Sequence, residues 1–213
     1  MRKIISATIG AAGLFICSSN AFAFFDDFDF QAPQGVYVRS MSYGGSGCPQ
    51  GSVGKTISSD GSSFTLIFDE YIAEAGYDIP RSAGRKTCQI TMDIQVPRGY
   101  QYSIATLDTR GYVSLDGGVR AYQKSTYYFD RFYEGTFVTN FRGPIDEDYT
   151  VTDKVELESG GVWSPCGSNR LLNIKTEIGV RGRRGNEGML TVDSLDGQVK
   201  QIYGLRWRAC SWR

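Results

Sequence analysis

The stretch CQITMDIQV, residues 88–96, decides the fold class, because apolar and polar side chains alternate through all of it. The apolar positions include Ile90, Met92, Ile94 and Val96. Successive side chains of an extended chain point to opposite faces, so the apolar residues share one face and the polar residues share the other. This pattern is typical of an antiparallel strand that packs one face on a core and turns the other to water.

Similar short extended runs lie on both sides of this stretch, and most are bounded by Gly, Pro or Asp. They cover residues 35–43, 54–58, 63–68, 102–107, 112–115, 119–128, 136–141, 149–157, 171–180, 189–192 and 199–209. We expect little helix, with one helical turn within residues 69–75. Many short strands separated by turn residues predict an all-β fold, an antiparallel β-sandwich of the jelly-roll or Greek-key kind.

The first residues carry the marks of a secretory signal peptide. Arg2 and Lys3 precede an apolar run over residues 4–16, and Ala21 and Ala23 are the small residues that suit signal peptidase. The run is about 13 residues long, short of the roughly 20 needed to span a bilayer. We therefore expect cleavage after Ala23 and secretion, either into a periplasm or into the extracellular space.

The same reasoning gives the domain organisation. We expect a signal peptide at residues 1–23, a flexible N-terminal arm at 24–34 and a single β-sandwich domain at 35–213. Since no second apolar stretch is long enough to cross a bilayer, we expect no membrane span in the mature chain.

Cleavage would also remove Cys17 and leave four cysteines in an oxidising compartment: Cys48, Cys88, Cys166 and Cys210. Four cysteines allow three pairings. We favour Cys48 with Cys88 and Cys166 with Cys210, which would each close a loop of about 40 to 45 residues and staple the sandwich twice. A four-thiolate metal site is disfavoured, because such sites use closely spaced pairs.

Composition excludes several classes of function. The chain has no His, which excludes the Ser-His-Asp triad, the Cys-His pair and imidazole zinc sites. Its 23 basic and 23 acidic side chains give no excess charge that would indicate a nucleic-acid partner. The last quarter is nevertheless basic, with Arg181, Arg183 and Arg184 in a Gly-rich turn. These arginines suit an anionic polymer, but ordinary solvated arginines are the favoured interpretation.

Three segments in order resemble a known family. They are Gly45-Ser46-Gly47-Cys48-Pro49-Gln50-Gly51, the strand Phe64 to Tyr71, and Arg85-Lys86-Thr87-Cys88-Gln89-Ile90 running into Val96-Pro97-Arg98-Gly99. The chain resembles the small secreted proteins of bacteria and filamentous fungi grouped as domain of unknown function 4360. That resemblance implies export, disulfides and a β-rich fold, and it supplies no catalytic residues. Thr87 stands where the family usually has Asn.

Aromatic residues are the first candidates for a binding surface. Tyr127 and Tyr128 are adjacent, so a regular strand points them to opposite faces and leaves one of them exposed. Trp163 is a further candidate. An exposed ring can bind a sugar or a protein partner, although core packing is the more common role of aromatic residues.

Basic residues on the segment 71–86 are the second candidates. Arg81, Arg85 and Lys86 have the charge that a trypsin-like protease pocket accepts, which would make the segment an inhibitory loop.

We therefore expect a non-catalytic binding or structural protein of the cell surface or extracellular space, with polysaccharide or matrix as the first ligand class. This ranking rests on fold-level analogy. The second alternative is a protein-binding module such as a protease inhibitor, and the third is a hydrolase that uses two carboxylates. The acids available to it are Asp69, Glu70 and Glu74, or Asp146, Glu147 and Asp148. We expect no cofactor and no metal site, since the acidic runs lack the spacing of a calcium loop.

Overall fold

The computed structural model describes residues 37–57, 63–129, 134–154, 163–166, 171–183, 185–192 and 199–210. Within these residues the chain forms twelve strands and one short 3-10 turn. The strands are β1 (Tyr37–Gly44), β2 (Val53–Ile57), β3 (Ser63–Phe68), β4 (Ile72–Ala75), β5 (Arg85–Gln95), β6 (Tyr100–Leu115), β7 (Arg120–Tyr128), β8 (Glu134–Arg142), β9 (Ile145–Asp153), β10 (Leu171–Arg181), β11 (Gly188–Thr191) and β12 (Val199–Ala209), and the turn is Arg81–Gly84.

All of these strands pair antiparallel, in two sheets. The five-stranded sheet has the order β1-β5-β10-β7-β8. The second sheet has the order β2-β3-β12-β6-β11-β4, and β9 also pairs with β6, outside this order. Strands β5 and β10 are therefore neighbours although they lie far apart in the chain.

The two sheets pack face to face around one core. The hydroxyl of Tyr71, just before β4, lies 2.9 Å from Thr176 Oγ1 on β10. The ring centroids of Phe141 on β8 and Tyr149 on β9 lie 4.9 Å apart. Both contacts join one sheet to the other, so the prediction of an antiparallel β-sandwich is confirmed.

Strand β5 shows the alternation that its sequence predicts. Ile90, Met92 and Ile94 are buried, and the polar residues between them are only partly buried. Each buried apolar side chain of this size contributes about 1.5 to 3 kcal/mol to stability. The sequence pattern thus identified the face of β5 that contacts the core.

Two local predictions were wrong. Residues 69–75 form no helical turn, because residues 72–75 pair with β11 as strand β4, and the 3-10 turn comes later, at Arg81–Gly84. The predicted runs 102–107 and 112–115 are one strand, β6. Gly111 does not end it: a Cβ at this position would lie 2.1 Å from Thr191 O, so glycine is needed there for close approach of the backbones.

Both disulfides have the favoured pairing, Cys48–Cys88 and Cys166–Cys210. Cys48 and Cys88 are fully buried, and they fix the loop after β1 against β5. Gly47, next to Cys48, lies against Tyr71, where a Cβ would come within 2.2 Å of a ring carbon. A side chain there would push on the buried ring, which explains the glycine before the cysteine.

The predicted signal peptide at 1–23 and arm at 24–34 lie outside the described residues and stay predictions, as does the role of Arg184. In the part of the chain that the structure describes, no helix is long and apolar enough to cross a bilayer.

Candidate ligand-binding surface

Two adjoining grooves lie at one end of the five-stranded sheet. The larger groove has a volume of about 820 Å³ and lies between the segment 74–85 and the end of β10. The smaller groove has a volume of about 580 Å³ and lies over the start of β7. Arg181, Gly182 and Arg183 line both, so the two grooves meet along this segment. Their volumes fall in the range of ligand sites.

The larger groove is basic. The arginines on its wall are Arg81, Arg85, Arg181 and Arg183, and its lining includes one carboxylate, Glu74. It also has an aromatic residue, because Tyr77 lines it and is 70% exposed. Pairing of β5 with β10 places Arg85 opposite Gly179, which brings together arginines from distant parts of the sequence.

Tyr122 lines the smaller groove with Asn140 and Arg120. Its ring lies on Gly179 of the neighbouring strand, where a Cβ would come within 2.4 Å of a ring carbon. Glycine at position 179 therefore leaves the space that the ring occupies.

Two linked hydrogen bonds also fix the Tyr122 ring. The Tyr122 hydroxyl donates to Glu177 Oε1 at 2.5 Å, and Arg85 Nη2 donates to Glu177 Oε2 at 2.5 Å. The hydrogen bond from Arg85 holds the pKa of Glu177 below its ordinary value. Partial burial and the bond to Glu177 raise the pKa of Tyr122. At neutral pH the carboxylate is thus charged and the tyrosine hydroxyl is a neutral donor.

Comparison with known proteins identifies the family. The family model described as domain of unknown function, DUF4360, matches residues 34–210. The chain belongs to this family.

An uncharacterized secreted protein of Arthroderma benhamiae is 41% identical over 181 residues, which are 84% of this chain and 74% of the relative. A solved structure of TmCBM61 in complex with beta-1,4-galactotriose matches with a TM-score of 0.26 and 11% identity, over 81% of this chain and 90% of that chain.

This DUF4360 protein is secreted, as its sequence predicted. The Arthroderma benhamiae relative is a secreted protein. Two disulfides formed from the four cysteines of residues 37–210 fit the oxidising environment outside the cytoplasm.

Of the basic residues predicted for binding, the structure brings Arg81 and Arg85 into the larger groove. Lys86 follows Arg85 on β5, half-buried and on the opposite face, and it does not belong to the groove lining described above. Arg85 is held inside a paired strand and bonded to Glu177, so it is not presented to a protease pocket as an extended loop residue. The inhibitor alternative therefore loses its central contact.

The adjacent tyrosines do lie on opposite faces of β7. Tyr127 is 1% exposed, packs on Phe137 and donates its hydroxyl to Asp153 Oδ2 at 3.1 Å. As a binding residue Tyr127 is corrected, because it belongs to the core between the sheets. Tyr128 is half-buried on the outer face, and its hydroxyl donates to Gln89 Oε1 at 3.4 Å. It lies at the other end of β7 from the grooves.

Trp163 lies apart from both grooves, beside β6 and β12. Its backbone bridges to Ser103, and the guanidinium carbon of Arg208 lies 4.1 Å from the ring centroid. Arg208 also donates to Gln101 Oε1 at 2.9 Å. The protein's own arginine thus covers one side of this ring.

The hydrolase alternative needs two facing carboxylates. Of the groove lining that the structure describes, Glu74 is the one acidic residue. Asp146, Glu147 and Asp148 lie exposed on β9, where alternation points Glu147 away from the other two. No group of three or more metal-ligating side chains comes together within the described ranges.

Neither Tyr77 nor Tyr122 was among the sequence-based candidates. Tyr122 lies in a segment rich in aromatic residues. What the sequence does not show is its pairing with Gly179 of β10, which leaves the space that the ring occupies. The pattern of Gly and Arg at residues 181–183 was the available signal for the segment that the grooves share, although the sequence favoured ordinary solvated arginines there over an anionic partner.

Proposed function

We propose that this secreted protein is a non-catalytic binding protein that holds an extracellular polysaccharide in the two adjoining grooves. One observation carries the proposal: two open grooves meet at residues 181–183, and each has a tyrosine, Tyr77 in the larger and Tyr122 in the smaller. Two open grooves that share part of their lining suit a linear polymer, because the polymer can lie across both without threading through a closed cavity.

The lining has the chemistry that sugars need. Aromatic rings offer an apolar surface to the C–H face of a pyranose, and a few polar groups fix its orientation. Arginine guanidinium groups supply several donors each, and the Asn140 amide offers both donor and acceptor to hydroxyl groups.

Preorganisation further supports a role for Tyr122. Contact with Gly179 and the bond to Glu177 fix its ring before a ligand arrives. Binding to a ring that is already held in place costs less conformational entropy, because the side chain has little freedom left to lose. Tyr77 is more exposed and would contribute contact area without that advantage.

Affinity electrophoresis and calorimetry with a panel of soluble neutral and acidic polysaccharides test this proposal. We expect binding to at least one of them, and we expect Tyr77→Ala and Tyr122→Ala each to weaken it about tenfold, which corresponds to about 1.4 kcal/mol. Tyr128→Ala is the matched control, since it removes a half-buried tyrosine at the other end of β7.

Circular dichroism melting would establish that each variant is folded. Absence of binding to every polysaccharide by the folded wild-type protein would refute the proposal. So would an equal loss of affinity in Tyr128→Ala, because that residue is outside the grooves.

A further inference from the structure

Three arginines form a row across the end of the five-stranded sheet. Arg181 on β10 lies opposite Arg120 on β7, and Arg120 lies opposite Arg142 on β8. All three are exposed. We call Arg181, Arg120 and Arg142 the arginine row.

Their side chains share the outer face of the sheet. The residues beside them, Val180 and Ala121, are buried in the core between the sheets. Alternation along each strand therefore points the arginines away from the core. Neighbouring strands lie about 4.8 Å apart, so the three side chains begin at a regular short spacing.

This arrangement costs stability in the free protein, because like charges directly opposite each other on a sheet repel. Within the described ranges, the ion pairs involve Arg39 with Asp93 and Arg85 with Glu177, and no carboxylate lies within 4.0 Å of a guanidinium nitrogen of the row. An anionic ligand would offset the repulsion.

The row leads directly into the grooves. Arg181 lines both of them and Arg120 lines the smaller one, while Arg183 and Arg81 continue the positive charge along the larger groove. Concentrated charge of one sign along a cleft attracts and orients an oppositely charged ligand.

We propose that the ligand is an acidic polysaccharide, with carboxylates at regular intervals that the arginine row binds. The proposal rests on the proposed function and names its ligand class. Guanidinium groups form two parallel hydrogen bonds with a carboxylate, and the regular strand spacing would match successive acidic sugars of a linear chain. The tyrosines would contact the sugar rings while the arginines bind the charges.

Two probes with the same backbone separate charge from sugar recognition. They are polygalacturonate and its fully methyl-esterified form, each titrated by calorimetry at low and moderate salt. We expect wild-type protein to bind polygalacturonate at least tenfold more tightly, with an affinity that falls as salt rises. The triple variant Arg120→Gln, Arg142→Gln, Arg181→Gln should lose this preference and bind the two polymers with about equal affinity.

Arg110→Gln is the control variant, since Arg110 is an exposed arginine on β6 of the other sheet. It should keep the preference for the charged polymer. Because the row is repulsive without a ligand, the melting temperature of the triple variant should be no lower than that of the wild-type protein. A lower melting temperature would contradict the inference that the arginines of the row repel one another without an ion-pair partner.

The outcomes are distinguishable. Equal affinity for the charged and esterified polymers would overturn the acidic ligand while the proposed function stands. Binding to neither of them, nor to any polysaccharide of the panel, would overturn the proposed function itself. Competition by duplex DNA or polyglutamate as effective as that by polygalacturonate, lost together in the triple variant, would identify a general polyanion surface and overturn the sugar-specific proposal.

Discussion

At the scale of single residues, Glu177 is a carboxylate held by two neighbouring side chains. Its side chain is 12% exposed and accepts hydrogen bonds from Arg85 and Tyr122. Because the pKa of Glu177 is lowered in the folded protein, the charged carboxylate favours folding. That contribution is complete above the ordinary pKa of 4.5 and is lost as the pH falls through the lower folded value.

Glu177→Gln should therefore lower the denaturation midpoint at neutral pH, and the difference from the wild-type protein should shrink as the pH falls below 4.5. The decrease should be modest, since the Arg85 partner is largely exposed and solvent screens the pair. Urea denaturation at a series of pH values measures it. Glu147→Gln, at an exposed position on β9, should show no such trend. A difference that stays constant down to the lowest pH would contradict the assigned cause.

Residue patterns predicted the core better than the site. Period-two alternation identified the inward residues of β5, and it correctly placed Tyr127 and Tyr128 on opposite faces. It could not say which tyrosine faces inward. That choice follows from the pairing of Tyr127 with Ile174, a buried residue of β10, and pairing between distant strands is not encoded in either local pattern.

At the scale of secondary-structure elements, the site exists because of strand order. The segment 74–85 and the turn at residues 181–183 come together because β10 pairs with β5 on one side and with β7 on the other. The arginines of each segment could be read from the sequence, yet their meeting required the order of strands in the sheet. Gly111 shows the limit of local patterns, because the predicted runs stopped at residue 107 and resumed at 112, whereas β6 is continuous and Gly111 lets it pass close to Thr191.

The central position of β10 has a measurable consequence. Its amides and carbonyls pair with strands on both sides, whereas β8 pairs with β7 alone among the described strands. Strands bonded on both sides open only with the whole sheet, while an edge strand opens locally. Amide hydrogen exchange followed by mass spectrometry should show peptides from residues 172–180 exchanging at least tenfold more slowly than peptides from residues 135–142. Similar rates for the two regions would show that β8 is covered in solution.

At the scale of the whole molecule, the two disulfides differ in their access to solvent. Cys48 and Cys88 are each 0% exposed and lie in the core, whereas Cys166 is exposed and Cys210 is 8% exposed. Thiol–disulfide exchange requires a thiolate to reach a sulfur atom, so access decides which bond of the folded protein reacts first. The positions of the cysteines in the sequence favoured the correct pairing. The difference in solvent access between the two disulfides, however, follows from the packing of the sheets.

A mild reductant under native conditions should therefore open Cys166–Cys210 before Cys48–Cys88. Alkylation with one reagent, full reduction in denaturant and alkylation with a second reagent would show by mass spectrometry which cysteines reacted first. In denaturant both bonds should open together, which is the control for intrinsic reactivity. Replacing Cys48 and Cys88 by Ala should lower the free energy of unfolding by about 2 to 5 kcal/mol, because their disulfide closes a long loop and is buried. Equal labelling of Cys48 and Cys166 in the folded protein would mean that the core opens as readily as the exposed end, contrary to the packing of the sandwich.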